Sequence, residues 1–318
     1  VGPPLRVVST YPEDGAGFEC DLADLECGIP IDTTFEIRFD RYLLPSTAVR
    51  QSFSLYSGED TNFVPGGDVP ALTPRYDVIE RVVTYALPSG VTLQPNTHYT
   101  FELVVPINED ATGFRAFDHA PLDETTTRSA SFLTSSQRKT PVPTTGGTWY
   151  EAEAALGSCD SEGCHTQKEH VMGMDLSSPN GLILTAIGQV AHQTETGPKT
   201  GTPTQNPDRF GVAMPRIDPG RPDNSYLIYK LLLAPENYWR SHGDPAEPDL
   251  CVSDHLLLPV ADDCVSVLAT PEENERLQNW FLRGLGMPRP VEDRDPTFLN
   301  REQLRDLEGW IRAGASFP

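Results

Sequence analysis

Cys159-Asp160-Ser161-Glu162-Gly163-Cys164-His165 packs two thiols and an imidazole into seven residues. A cysteine followed at once by histidine, with a second cysteine just upstream, is the arrangement that attaches c-type haem. The thiols form thioethers to the porphyrin vinyl groups, and the histidine ligates iron from the proximal side. The usual spacing leaves two residues between the cysteines; this chain has four, which makes the local signal less specific. Two other readings of the same residues stay open at this point. Cys159 and Cys164 could close a small disulfide beside an ordinary surface histidine. Zinc is the third reading, although it needs a fourth ligand and adjacent Cys and His rarely both reach one tetrahedral ion.

Downstream of a composition-defined linker, residues 139–148 with Pro141, Pro143 and Gly146-Gly147, the pattern is helical. Trp149 to Leu156 reads as a short helix leading into the cysteine motif. Asn224 to Leu233 has apolar residues at Tyr226, Leu227, Ile228 and Leu231, with Asn224 as N-cap. Thr270-Pro271-Glu272-Glu273 is a strong helix start: a cap, a proline in the first turn, and a glutamate placed to complete a capping box. Its apolar face is Leu277, Trp280 and Phe281. Asn300 caps a last helix with Leu304, Leu307, Trp310 and Ile311 on one face. The polar, Gly/Pro-rich segments 185–214 and 235–265 read as surface insertions.

Upstream of the linker, residues 1–138 read as all-β. Phe35 to Phe39 and Tyr99 to Val105 alternate apolar and polar residues, and shorter matches occur at Leu5–Val8, Ser52–Tyr56, Arg81–Tyr85 and Ser131–Leu133. Turn clusters such as Pro12-Glu13-Asp14-Gly15 and Pro88-Ser89-Gly90 separate them. Six or seven short strands over this length predict a sandwich. The expected fold class is therefore a multidomain chain: an all-β sandwich over 1–138 and a mainly α domain with long loops over 149–318.

At 318 residues the chain is long enough for two cores. No run of 18 or more apolar residues occurs, so no transmembrane segment is expected. No signal peptide is visible; the sequence is expected to be mature or to begin within a longer precursor, and a lipid anchor upstream of Val1 stays open. The six cysteines fall into three close pairs. Cys20 with Cys27, and Cys251 with Cys264, read as loop-closing disulfides, which persist in oxidising compartments and so predict an extracytoplasmic protein, in the periplasm or at the cell surface. A net charge of −22 disfavours nucleic acid and anionic membranes and steers toward a basic partner, besides serving solubility. No Ser-His-Asp order or metalloprotease motif argues for hydrolysis.

An electron-transfer haem needs a second axial ligand, commonly a methionine thioether. Of the four methionines, Met172 and Met174 are too near His165 in sequence to reach round a ring. Met287, in Gly286-Met287-Pro288-Arg289-Pro290, sits on a loop stiffened by prolines; Met214, in Ala213-Met214-Pro215, is the runner-up. His192, His242 and His255 are outside candidates. Trp280, Leu304, Trp310 and Ile311 are expected in the core and as apolar walls of the haem pocket. Arg216, Arg221 and Arg289 are candidates for pairing with the propionates.

Two resemblances sharpen these readings. Val7 to Gly15, Thr34 to Asp40 and Leu93 to Phe101 resemble the bacterial Ig-like domains of secreted and surface-layer proteins, whose usual role is spacing or docking. Gly173-Met174-Asp175-Leu176-Ser177, Pro219 to Leu227, Gly286-Met287-Pro288 and Trp310 to Ala315, in that order after the cysteine motif, resemble the cytochrome c-type domains of large exported bacterial proteins. That second resemblance implies one covalent haem c on Cys159 and Cys164, proximal His165 and distal Met287. It implies an electron carrier rather than an enzyme, working with a redox protein or a larger extracytoplasmic electron-transfer complex. The alternatives are a haem-free structural or adhesion protein of the cell surface and a haem enzyme with an open distal site.

Overall fold

Alternation of apolar and polar residues builds strands wherever one face can be buried, and the computed structural model has seven of them among its described residues. Those residues are 2–20, 27–58, 70–139, 147–157, 159, 165–166, 173–194, 211–233, 258, 269–281, 287, 299 and 301–318. The strands are β1 (Val7–Tyr11), β2 (Thr34–Phe39), β3 (Phe53–Ser57), β4 (Thr73–Asp77), β5 (Val82–Ala86), β6 (His98–Leu103) and β7 (Ser129–Leu133). They form two antiparallel sheets, ordered β1-β2-β5-β4 and β3-β6-β7. Phe35 of β2 meets Phe53, Phe101 and Phe132 of the three-stranded sheet at ring-centroid distances of 5.4, 6.1 and 5.8 Å. Offset and tilted rings at such distances add to the area they bury.

β2 departs from its alternating pattern. Glu36 and Arg38, the polar residues of Phe35 to Phe39, are 1 % and 5 % exposed. Arg38 lies 3.7 Å from the carboxylate of Glu80, and Glu36 accepts from the backbone N–H of Leu258 at 3.1 Å. Polar groups can sit inside because each finds a charged or hydrogen-bonding neighbour. β4 carries Pro74, and it lies at a sheet edge, where a missing N–H is tolerated. Cys20 and Cys27, between β1 and β2, are disulfide-bonded.

Five α-helices follow among the described residues: α1 (Trp149–Leu156), α2 (Pro179–Thr185), α3 (Tyr226–Leu232), α4 (Pro271–Trp280) and α5 (Arg301–Arg312). A complete capping box starts α1, with Thr148 accepting from the Glu151 N–H and Glu151 reaching back. Ser178 caps α2 through the Gly181 N–H. Thr270 caps α4, but Glu273 pairs with Arg276 at 3.0 Å. Ser225, not Asn224, precedes α3; Asn224 instead donates to Asp218 at 2.6 Å. Trp149 of α1, Trp310 of α5 and Phe317 form an aromatic cluster with centroids 4.7–5.6 Å apart.

The expected fold class needs correction. The structure is a mixed α and β fold with two antiparallel sheets and five helices, and it shows no clean split into an Ig-like sandwich followed by a cytochrome c-like helical domain. The physical reasons lie in the second half. Its helices are short, from seven to 12 residues, and loops joined by the bridges Ile187↔Ile217 and Val190↔Pro215 do much of the packing. Contacts divide the chain into Val1–Pro143 with Cys251–Asp263, and Thr144–Leu250 with Cys264–Pro318. A stretch of the C-terminal half thus belongs with the strands.

Candidate cofactor cavity

The second unit contains a cavity of about 690 Å³, its open mouth included, lined by Cys159, His165 and Met287 together with Leu176, Leu227 and Leu231. Met174, Ala191, His192, Arg216, Tyr226 and Lys230 complete the wall.

Backbone hydrogen bonds place each of the sequence-predicted residues. The Cys159 N–H donates to Leu156 at the end of α1 at 2.7 Å, and His165 N–H returns to the Cys159 carbonyl at 3.1 Å. That bond brings the backbones of Cys159 and His165 together. The His165 carbonyl accepts from Leu176 at 2.9 Å, and both Cys159 and His165 are buried. Met287, half-buried, is tied to α3 by a 2.9 Å bond from its N–H to the Lys230 carbonyl. Met287 is far from Cys159 and His165 in sequence, and all three share one cavity.

α3 supplies one wall. All seven of its residues are buried, Lys230 included, and the Lys230 ammonium lies 5.8 Å from the Tyr226 ring centroid. Phe281 packs edge-on against Tyr226 and Tyr229, at 5.5 Å in each case. Gly211, at φ +78°, lies so close to the Phe281 ring that an added Cβ would collide with it. Arg216 enters from the loop before α3, its Nη1 donating to the carbonyls of Gly173 (2.8 Å) and Thr185. Burial holds its guanidinium below the usual arginine value.

Other predicted residues lie elsewhere. Met214, the runner-up ligand, is buried but does not line the cavity; its carbonyl accepts from Ala191 and Thr194. Met174, set aside on sequence distance, does line it. Leu304, Trp310 and Ile311 are buried without lining the cavity, Trp280 is half-buried, and the apolar wall comes from Leu176, Leu227 and Leu231 instead. Arg221 is exposed beside Asp223 at 3.9 Å. Cys164, Met172, His242, His255, Arg289, Cys251 and Cys264 lie outside the described residues. The segment read as a surface insertion from residue 185 supplies Ala186 and Ala191 to the core and His192 to the cavity. Its one sequence signal was the small apolar spacing of Ala186, Ile187, Val190 and Ala191.

The expectation of a metal-binding centre is also corrected. Among the described residues, no group of three or more His, Cys, Asp or Glu side chains is placed to hold a metal ion. Among the described residues there is no site built from protein ligands alone; the zinc reading also involves Cys164, which lies outside them.

The Cys20–Cys27 disulfide marks an oxidising, extracytoplasmic setting, and among the described residues no helix is long and apolar enough to cross a membrane. No protein-family model and no curated protein matches the chain. Among solved structures it is similar to the N-terminal part of the bacterial S-layer protein SbsC, at 18 % identity and a TM-score of 0.24, over 42 % of this chain and 24 % of that one. SbsC domains 1–6 give 18 % identity and a TM-score of 0.25, over 45 % and 15 %. The chain spans less than a quarter of the length of these S-layer proteins, and likeness at that level carries no argument about its fold or work.

Proposed function

We propose that this cavity holds one covalently attached haem and that the chain carries electrons outside the cytoplasm, in the periplasm or at the cell surface. The observation that carries the reading is the meeting of Cys159, His165 and Met287 on one largely apolar cavity. A porphyrin brings its own ring nitrogens, so iron arriving in one needs only two side chains from the protein. The lack of a three-ligand cluster among the described residues is compatible with that arrangement, and the thiol, imidazole and thioether present fit it.

When bound, haem supplies a one-electron iron couple. The chain's own residues do the rest. Cys159, with Cys164 by the sequence pattern, anchors the ring edge; His165 is held as a ligand by its backbone bonds to Cys159 and Leu176. The Met287 loop is pinned to α3, and Leu176, Leu227 and Leu231 keep water from the ring. The β-rich unit serves as a docking module toward a redox protein or a larger extracytoplasmic complex.

A second reading, a haem-free structural or adhesion protein of the cell surface, is favoured by the absence of a metal-ligating cluster among the described residues. One experiment separates them. The chain is exported from a host with a haem-attachment system and purified under denaturing conditions. It is then examined by reduced-minus-oxidised visible spectroscopy and intact mass. A haem spectrum that survives denaturation, with the mass of one haem added, is the expected result. Colourless protein with Cys159 and Cys164 bonded to each other would remove the electron-carrying reading and leave the scaffold.

A further inference from the structure

Exposed large apolar side chains are scattered over the described residues, except in one place. Ile183, Leu184 and Val190 are 50 %, 73 % and 40 % exposed and fall within a single short stretch. α2 buries Gly181 and Leu182 and leaves Ile183 and Leu184 to solvent. Val190 leads directly into Ala191 and His192, which line the cavity, as does Leu176 just ahead of α2. His192 is itself exposed, so this stretch meets the cavity at its opening. From Leu176 to Thr194 the sequence has no Asp, Glu, Lys or Arg, in a chain whose residues are 22 % charged. Apolar side chains left exposed in a charge-depleted stretch are the mark of an interface core. Nor is the stretch frayed: the Thr185 hydroxyl donates to the Gly181 carbonyl at 2.8 Å, the Gly188 N–H to Ile217 at 2.8 Å and the Ala191 N–H to Met214 at 2.9 Å. A backbone fixed in this way lowers the ordering cost of binding.

We propose that Ile183, Leu184 and Val190 form the contact through which the protein exchanges electrons, and that the partner is a redox protein with an apolar contact face set in a basic surface. This rests on the haem reading and names the chemistry of the partner. Charge decides the occupant. At a net charge of −22 two copies of the chain repel one another, whereas a basic protein is drawn in from a distance. At contact, the charge-free stretch lets the two surfaces meet without burying an unpaired ion. Removal of isoleucine, leucine and valine surface from water then supplies the attraction. Setting this contact at the cavity opening brings the two redox centres together. One electron passes between them, and no bond forms or breaks.

The test uses the full-length holoprotein with two oxidants: a cationic monohaem cytochrome as the protein probe, and hexacyanoferrate, a small ion that needs no docking. Ile183→Thr combined with Leu184→Ser removes apolar surface without adding charge. Ile107→Ser, at an exposed apolar residue of the first unit, is the control. Stopped-flow kinetics read electron exchange, and isothermal titration calorimetry reads complex formation separately. The double variant should slow exchange with the cationic cytochrome and weaken the complex, each by about tenfold. Its haem spectrum and its rate with hexacyanoferrate should stay at wild type, and Ile107→Ser should change nothing. Wild-type exchange and binding in the haem-loaded double variant would overturn the inference and leave the haem reading standing. An equal loss with hexacyanoferrate would trace the effect to the cavity and overturn the docking role. A wild-type dimer that the double variant breaks would give the patch to a second copy and overturn the choice of partner. A wild-type protein without haem would overturn the reading beneath, and the electron-exchange role with it. Should the double variant fail to accumulate, Val190→Thr decides alone.

Discussion

Trp310→Ala tests the link between the helical frame and the cavity. Trp310 has no exposed surface. Its ring lies 5.5 Å from Trp149 and 5.6 Å from Phe317, and its indole N–H donates to the Ser316 carbonyl at 2.9 Å. A buried tryptophan removes roughly 200 Å² from water, worth about 5 kcal/mol at about 25 cal/mol per Å². The alanine methyl keeps a fraction of that and the lost hydrogen bond adds about 1 kcal/mol. The expected destabilisation is about 4 kcal/mol, inside the range of about 3–5 found for such truncations. Trp310→Phe, which keeps a ring but loses the indole donor, should cost about 1–2 kcal/mol.

All four tryptophans, Trp149, Trp239, Trp280 and Trp310, lie in the second unit, so fluorescence-detected urea unfolding reports on that unit alone. The functional consequence runs through α1. Trp149 packs at a tilt against Trp310, and the far end of α1, at Leu156, holds the Cys159 N–H. Loosening α1 therefore loosens the thiol, and the yield of covalent haem should fall with stability. A loss below about 1.5 kcal/mol, or full haem loading beside a loss of about 4, would refute the coupling of the aromatic cluster to the cavity.

Met287→Ala should change the low-spin haem spectrum and lower the potential. Met214→Ala should leave both in place while costing about 2–5 kcal/mol of stability, because Met214 is buried away from the cavity; the reverse pattern in spectroelectrochemistry would exchange their roles. Burial pushes Asp118 up, but the Arg41 guanidinium at 2.9 Å and the N–H groups of Gly2 and Ala120 outweigh it and hold the carboxyl below its usual range. Its stabilisation is therefore complete above the unfolded value near pH ~4 and is lost as pH falls through the lower folded one. Asp118→Asn should flatten the fall of stability with acid in that window, and an unchanged acid-unfolding curve would contradict this. Replacing Cys20 and Cys27 by serine frees a loop of sequence separation 7 and should cost about 2.5 kcal/mol in urea unfolding of the strand-rich unit; no change would mean the loop is ordered without its bond.

Local signals were legible where the chain satisfies its own needs. Thr148 and Glu151 announce α1, and the aromatic alternation of Phe35 to Phe39 announces β2, because capping and period are written in neighbouring residues. What was hidden depended on partners distant in sequence. The burial of Glu36 requires the N–H of Leu258, a residue 222 positions away. β4 carries a proline and little alternation, and only its place at a sheet edge beside β5 makes it a strand. α2 hid behind Pro179 and Gly181, which argue against a helix until Ser178 is seen as its cap and Asp175 as the group that excludes a side chain at Gly181. The cavity divides the same way: Cys159 and His165 stand out as a motif, whereas Lys230 reads as one polar residue in a helical stripe.

That last residue joins the proposed chemistry to the fold. Lys230 offers its side chain to the cavity while its carbonyl anchors the N–H of Met287. α3 therefore sets two quantities at once, the charge beside the ring and the position of the thioether. They are separable, since side-chain replacement at Lys230 leaves the carbonyl in place, whereas a shift of the helix moves both. Arg216 is bound into the same wall, its carbonyl accepting from Leu227 at 3.0 Å at the start of α3. Substitutions that move α3 should change axial ligation, and those that only trim the Lys230 side chain should leave it in place, since the carbonyl that holds Met287 stays. A cavity meant merely to fill space would gain nothing from tying Met287 to a short helix whose every residue is buried.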